Sequence, residues 1–451
     1  MTLFWHRRDL RISDNAGLYY ALKQGGPVQP VFIFDAAILG KLPSRADARV
    51  EFIQRNVAEL DAAYRTHGSC LLTYYGDPVA IWKSLRDEFR PTAVFTNRDY
   101  EPYARTRDDA VREILEEQDI PLHDHKDHVI FESDEIQKKA GGPYTVYTPY
   151  MRTWRSTLDA RLSTHDGKPV SFYLKPYPTE SYAGRLRQVA DPPPVVRLED
   201  MGFEATDVPL PPPAAPLPVL EQYDRQRDYP ATEGTTRWGV HLRHGTVSVR
   251  EKARRALATN ATLLNELIWR DFYSNILQSF PHVAHRSYRP AYDTIPWIND
   301  EQQFERWCAG ETGVPIVDAG MRQLNATGFM HNRVRMIVAS YLTKHLLIDW
   351  RWGESYFADK LLDYELASNN GGWQWAAGSG VDAQPYFRIF NFESQQRKFD
   401  PEYRYVRRWV PEYGTSGYPD KPLVEHKFGR DRALATYKTA LVAARAGSVA
   451  L

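Results

Sequence analysis

A run of prolines divides this chain into two stretches with different folding rules. Residues 209–218 read PLPPPAAPLP, and PPP also stands at 192–194. Proline fixes φ and donates no backbone hydrogen bond, so such a run neither continues a helix nor joins a sheet interior. It predicts a semi-rigid extended tether lying over a surface. Before it, residues 1–130 alternate short apolar runs with amphipathic stretches. Strands are expected at 2–5, 28–34, 70–75 and 93–96, with a fifth beginning at Leu122 or Val129, and helices over 50–67 and 105–117. That order predicts an α/β domain over 1–130, built on a parallel, doubly wound sheet covered on both faces. Ligands of such sheets sit beyond the carboxyl ends of the strands, where HRRDLR (6–11) and residues 97–103 fall. A connector occupies 131–218. From 219 to 451 strand signals nearly vanish, which predicts an all-α domain.

Bulk properties narrow the function classes. At 451 residues the chain exceeds what one core supports. Lys and Arg (57) balance Asp and Glu (57), so a wholesale polyelectrolyte binder is excluded. A nucleic-acid site would have to be a local basic patch. Only Cys70 and Cys308 are present, which rules out a disulfide framework and suits a reducing cytoplasm. No long apolar run or signal-like segment exists, so no membrane partner is expected. His123, His125 and His128 in HDHKDH lack the ordered ligand spacing of a metal site and read as a solvated loop; no metal is expected. Eight of the twelve tryptophans lie between Trp269 and Trp409, which places the chemistry in the helical half.

Three segments of that half carry functional side chains where a core stripe should be. Residues 361–390 read LLDYELASNNGGWQWAAGSGVDAQPYFRIF. Gly371 and Gly372 let something bulky approach the backbone. On a helix, Trp373 and Trp375 stand about 200° apart and face different surroundings. LLNELIWRDFY (263–273) sets Glu266, Trp269, Arg270 and Tyr273 at i, i+3, i+4 and i+7, one polar wall, with Leu264, Ile268 and Phe272 left for the core. GFMHNRVRMIVASYLTK (328–344) puts Asn332, Arg333 and Met336 on one side and Val334, Ile337, Val338 and Tyr341 on the packing side. Arg335 points elsewhere and can pair with Asp363. EGTTRWG (233–239) offers Thr235, Thr236 and Arg237 just before a helical pattern, which suits a pyrophosphate.

NNGGWQWAA followed by PYFRIFN resembles the flavin-cradling segment of DNA photolyases and cryptochromes. The resemblance extends over about residues 2–430, through HRRDLRISDN, PYTVYTPYMRTW, EGTTRWG, TIPWIND and IDWRWGE. It implies that the all-α domain binds FAD. The matching positions are Tyr223, Thr235, Thr236, Arg237, Trp238, Gly239 (backbone only, where the family often has Ser), Glu266, Arg270, Arg335, Asp363, Glu365 and Asn369. Glu365 departs from the family's usual Asp. Asn369 matches the residue facing flavin N5, where cryptochromes resemble Asp or Cys instead. His331, Asn332 and Met336 differ from the HHxxxH of photolyases acting on six-four photoproducts, and resemble enzymes acting on cyclobutane pyrimidine dimers.

The implied activity is light-driven repair, in which reduced FAD passes an electron to a dimer flipped out of UV-damaged DNA. Glu266 would hold the dimer's base edge, Trp269 and Trp375 would stack on it, and Asn332 and Met336 would line the floor, with Tyr273 beside them. Arg227, Arg333, Arg388, Gln395 and Lys398 would meet the DNA backbone. Trp373, Trp350 and Trp297 match the family's electron-transfer chain, with Trp352 as a side branch. Ala104 replaces the Glu of the folate-binding subgroup, so a second, antenna chromophore would be a deazaflavin or flavin rather than folate. A monomer is expected. The rival readings are a cryptochrome-type photoreceptor and a dark flavin oxidoreductase, the latter without a nicotinamide fingerprint in its favour.

Overall fold

A computed structural model describes residues 1–449; Ala450 and Leu451, the end of the expected all-α domain, lie outside the described residues. The chain forms two compact units whose segments interleave. The first holds Met1–Gln137, Met151–Ala214 and Arg237–Leu267; the second holds Lys138–Tyr150, Ala215–Thr236 and the chain from Ile268 onward.

The first unit contains the expected parallel sheet. Its strands are β1 (Thr2–His6), β2 (Val28–Asp35), β3 (Leu72–Gly76), β4 (Ala93–Asn97) and β5 (Leu122–His125), in the order β3-β2-β1-β4-β5. Thr2 is in register with both Val28 and Ala93. Alternate residues serve opposite faces, as a strand requires. Phe4 joins Leu18, Leu22, Val57 and Leu60 from the helices Ala16–Lys23 and Ala48–Arg65. Leu3 and Trp5 join Trp82, Leu85, Val111 and Leu115 from the helices Pro78–Phe89 and Pro102–Glu116. Both faces are therefore dry, and the strands read as continuous apolar runs.

The strand order reverses between β1 and β4, and the crevice at their carboxyl ends is filled by the protein's own charges. Arg7 meets Asp108 and the Asn97 carbonyl. Arg8 bonds Asp99 at 3.1 Å and Glu101 at 3.3 Å. Asn97 donates to Asp9 at 2.6 Å and to Asn15 Oδ1 at 2.8 Å. Burial alone would raise the Asp9 carboxyl, but His6 and the surrounding donors hold it far below the usual carboxylate range. The segment 6–11 is thus an ion-pair centre, but its arginines bind carboxylates elsewhere in the chain rather than only its own.

The histidine segment is not a solvated loop. His123 and His125 stand on β5 with their rings in aromatic contacts, and His128 is buried against Arg8. The connector also holds more structure than its composition indicated. It contains the helix Tyr147–Ala160 and an antiparallel hairpin of β6 (Leu162–His165) and β7 (Lys168–Ser171). The hairpin turns at Asp166-Gly167, whose φ values of +50° and +72° are those of a type I′ turn. Residues 203–216 form neither helix nor strand, and Pro212, Pro213 and Ala214 are exposed. Among the described residues no strand follows β7.

Asp127 joins Arg11 at 2.6 Å and Arg250 at 2.7 Å, all buried. Burial would raise its carboxyl, yet the two guanidiniums outweigh burial and lower it. Its stabilising charge is present above the unfolded carboxylate value and is lost as pH falls through the lowered folded one. Asp127→Ala strips buried Arg11 of this carboxylate and leaves Arg250 with Asp14 alone, at 2.8 Å, and should cost about 3–5 kcal/mol in urea unfolding at pH 7; a loss under about 1 kcal/mol would contradict this reading.

Candidate active site

Within the second unit, two helical segments are pinned together at one spot. The helix Ala261–Ser279 carries Trp269, Arg270 and Tyr273, as its spacing predicted. The helix Leu366–Ala377 carries Asn369, Trp373 and Trp375. Arg270 bonds Glu365 Oε1 at 3.2 Å, just ahead of the second helix. Three residues along the first helix, the Tyr273 ring lies on Gly371, where a Cβ would come within 2.2 Å of it. Gly371 is therefore filled by the protein's own tyrosine. Gly372 is the open one, with nothing within 4 Å of a Cβ built there. Glu266 lies one turn before Arg270 on the same helix, in the segment that belongs to the first unit.

The two indoles differ as expected. Trp373 is 2% exposed and meets Phe357 edge-on at 5.0 Å, while Trp375 is half-buried. Gly353, in the helix Trp350–Lys360, makes room for Trp373; a Cβ there would lie 2.1 Å from its ring. Trp350 is buried in the same core, and Trp297 is half-buried against Tyr437 at 5.8 Å. Trp352 meets Phe304 edge-on at 5.2 Å, which gives the expected side branch a phenyl neighbour. Trp269 stacks flat on Tyr147 at 3.6 Å, so one face of that indole is already taken.

A third helix, Asn332–Ser340, supplies the charges. Arg335 holds Asp363 through two bonds of 3.0 and 2.9 Å, the pairing read from the sequence. Its other nitrogen donates to the Met330 carbonyl at 2.8 Å. Arg333 pairs with Asp228 at 2.7 Å and lies 3.8 Å from the Met336 sulfur, so it is less available to a phosphate than its sequence position implied. Asn332 is exposed at the start of this helix. His331 caps the same end by accepting the Arg333 backbone N–H at 3.2 Å on Nδ1. Burial, aided by Arg335 and Arg333, pushes its imidazole down to about 4, so at neutral pH its single proton sits on Nε2.

Sequence reading missed the partner of Asn369. Its Nδ2 donates to Glu354 Oε1 at 2.9 Å and to the Glu354 carbonyl at 3.1 Å. The amide is thereby oriented with Oδ1 as the atom it offers elsewhere. Glu354 stands in the IDWRWGE segment already singled out for Trp350, and its spacing four residues after that tryptophan was the available signal. Burial raises the Glu354 carboxyl, and the bond from Asn369 only partly offsets this.

In the phosphate-loop segment, Arg237 adopts φ +52°, a left-handed turn, before the short helix Gly239–His244. Gly234 packs on Gln226, where a Cβ would be 2.6 Å away. Tyr223 is buried beneath the Arg227 guanidinium at 5.3 Å, and Trp238 is buried at the helix start. Thr235 and Thr236 are half-buried beside them in sequence. Arg388 and Lys398 are exposed, and Gln395 is half-buried.

Comparison with known proteins agrees with this geometry. Residues 2–169 match the family model described as DNA photolyase, and residues 263–416 match the FAD binding domain of DNA photolyase. A deoxyribodipyrimidine photo-lyase of Halobacterium salinarum is 36% identical over 98% of this chain and 99% of its own. A class III photolyase from Agrobacterium tumefaciens is 33% identical, covers 97% of each chain, and superposes with a TM-score of 0.82. An archaeal photolyase from Sulfolobus tokodaii, solved with two FAD molecules, is 33% identical over 97% of this chain and 99% of its own, with a TM-score of 0.80. A two-domain flavoprotein architecture is thus defined, a parallel α/β sheet followed by a helical FAD-binding domain. The chain belongs to the DNA photolyase family.

The residues present fit a planar anionic cofactor. Gly372 opens the helix surface, and the Arg335–Asp363 pair brings a cation with fixed orientation. Two buried side-chain donors in these segments have no protein acceptor, His331 Nε2 and Asn370 Nδ2. Such donors are costly unless a ligand or solvent satisfies them.

Glu354→Gln keeps an acceptor for Asn369 without the charge. Because burial raises the Glu354 carboxyl, the folded protein holds that proton more tightly than the unfolded chain. Stability is then lost as pH rises through and above the unfolded Glu value of about 4.3. The variant's urea midpoint should exceed that of wild type at pH 8, and the gap should close below about pH 4. A gap that does not vary with pH would refute the assignment.

Proposed function

We propose that the protein is a deoxyribodipyrimidine photo-lyase that repairs cyclobutane pyrimidine dimers in light. One observation carries the reading. Arg270 on Glu365 and Tyr273 on Gly371 set the Trp269 helix alongside the Trp375 helix, which carries Asn369 and the open Gly372. His331, Asn332 and Met336, and relatives named for the same activity, favour the cyclobutane dimer over other lesions.

The binding work falls to named groups. Tyr223, Thr235, Thr236, Arg237, Trp238 and Gly239 hold the FAD phosphates and their surroundings; Glu266, Arg270, Arg335, Asp363, Glu365 and Asn369 hold the remainder. When bound and reduced, FAD supplies the light-absorbing electron donor. Glu354 keeps the Asn369 amide turned so that Oδ1 accepts. Arg335, neutralised by Asp363, places a cation where negative charge accumulates without leaving a net charge buried. Trp297, Trp350 and Trp373 form a relay running from a half-buried ring to a buried one.

A base inside a duplex is out of reach, so the dimer is flipped out, as photolyases in general do. Glu266 accepts from its base edge. Trp269 and Trp375 stack on it; because Tyr147 covers one face of Trp269, that indole offers its other face or its edge. Asn332, Met336 and Tyr273 close the pocket. Arg227, Arg388, Gln395 and Lys398 contact backbone phosphates, and Arg333 joins them if it exchanges Asp228 for a phosphate. Any second chromophore beside FAD is a deazaflavin or flavin rather than folate; Ala104 is small and buried where the folate subgroup has Glu. The protein acts as a cytoplasmic monomer, and among the described residues no helix is long and apolar enough to cross a membrane.

Glu266→Ala should retain FAD, read from the visible spectrum, while lowering the repair quantum yield on a dimer-containing oligonucleotide at least about tenfold. Unchanged yield would remove Glu266 from the mechanism; a wild-type protein that binds FAD but repairs nothing under blue light would favour the cryptochrome reading. Arg388→Ala and Lys398→Ala should each flatten the slope of log affinity against log salt by about 0.9. Anisotropy titrations between low and physiological salt measure this, and an unaltered slope would exclude a phosphate contact.

A further inference from the structure

The Trp269 indole is one layer of a stack before any ligand arrives. Tyr147 lies parallel to it, with 3.6 Å between ring centroids and 4° between planes. Phe272 meets the same indole edge-on at 5.6 Å, and Tyr273 tilts against it at 5.5 Å, so of these three rings only Tyr147 shares its plane. Aromatic pairs more often sit offset or edge-on, with centroids about 4.5–7 Å apart. A face-on contact this close is therefore held by its surroundings rather than by ring attraction alone.

Those surroundings are firm. Tyr147 is 8% exposed and opens the helix Tyr147–Ala160. Its backbone N–H donates to Asp382 Oδ2 at 3.1 Å, and Asp382 itself is held at φ +45°. Its ring also meets Phe272 edge-on at 5.8 Å. One turn on, Tyr150 tilts against Phe272 at 5.1 Å, and its hydroxyl accepts from Asn275 Nδ2 at 2.8 Å. Trp269 stays half-buried despite this cover, so what it exposes is the opposite face and the ring edges. A tryptophan on a helix surface otherwise turns about χ1 and χ2. Here Tyr147 fills the space into which the indole would swing, so the ordering cost is met before binding.

We propose that Tyr147 is a positioning residue for lesion recognition: it backs Trp269 and fixes the plane on whose other face an everted pyrimidine dimer stacks. With one face closed, the indole accepts a single base plane and does not slot between two neighbouring bases of an ordinary strand. The inference rests on the repair reading, in which Trp269 stacks on the lesion. FAD-loaded Tyr147→Ala, Tyr147→Leu and Tyr147→Phe are compared with wild type by anisotropy on dimer-containing and undamaged duplexes, and by repair per absorbed photon at saturating DNA. The Ala and Leu variants should bind the dimer about fivefold more weakly or worse. Their affinity for undamaged duplex, their FAD absorbance and the yield of the bound complex should not change. The Phe variant keeps the ring and should match wild type. The Leu variant fills much of the same volume and gives the measurement if the Ala variant does not fold. Dimer binding retained without the ring, equal losses on damaged and undamaged DNA, or a Phe variant weaker than wild type by the same factor overturns the proposal. Wild-type protein with no preference for dimer-containing DNA overturns the repair reading instead; where that preference stands, a failure belongs to Tyr147 alone.

Discussion

The site depends on two places where an aromatic ring of one helix packs directly on a glycine of another. Tyr273 lies on Gly371, and Trp373 lies on Gly353. Close-packed interiors do not deform continuously, so these approaches set the position of the Leu366–Ala377 helix to within a fraction of an ångström. Further bonds hold its length. Glu365 is tied to Arg270 at the start. Gln374 accepts the Tyr288 N–H at 2.8 Å and donates to the Val283 carbonyl at 3.0 Å in the middle. Lys344 Nζ donates to the Ala377 carbonyl at 2.7 Å at the end. Gly372 is left as the open step on an otherwise fixed helix.

Charge is used differently in the two units. In the sheet unit, buried pairs such as Arg11–Asp127–Arg250 fill the crevice region where α/β folds commonly bind ligands. In the helical unit, the Arg335–Asp363 pair is partly accessible, while Arg270–Glu365 is more deeply buried. A partly accessible pair costs less to desolvate than a fully buried one. Asn369 and Glu354 follow the same logic with a neutral partner. Burial raises the Glu354 carboxyl, and its Oε1 accepts from the amide and fixes its orientation.

The periodicity of the chain was enough for most of the architecture. Alternating apolar runs fixed the five strands because a buried parallel sheet needs apolar residues on both faces. The one-sided stripes at 263–273 and 328–344 picked out the packing residues, since Leu264, Ile268, Phe272, Val334, Ile337, Val338 and Tyr341 are all buried, because i, i+3 and i+4 neighbours are set within the helix itself. The Asp166-Gly167 hairpin was also legible, since only a few residue types tolerate two successive left-handed positions, but its turn chemistry went unread amid the prolines. The histidines of HDHKDH looked solvated because nothing in their spacing shows that a strand and an aromatic helix end will enclose them.

Local rules could therefore say which residues stand on one face, and that Arg335 could reach Asp363. They could not say that Tyr273 rather than a ligand would occupy Gly371, that Tyr147 would cover Trp269, that Asp228 would take Arg333, or that Glu354 would turn Asn369. Each of these joins segments tens to more than a hundred residues apart. Their distances depend on how whole helices pack, which is a property of complementary volumes rather than of any spacing along the chain.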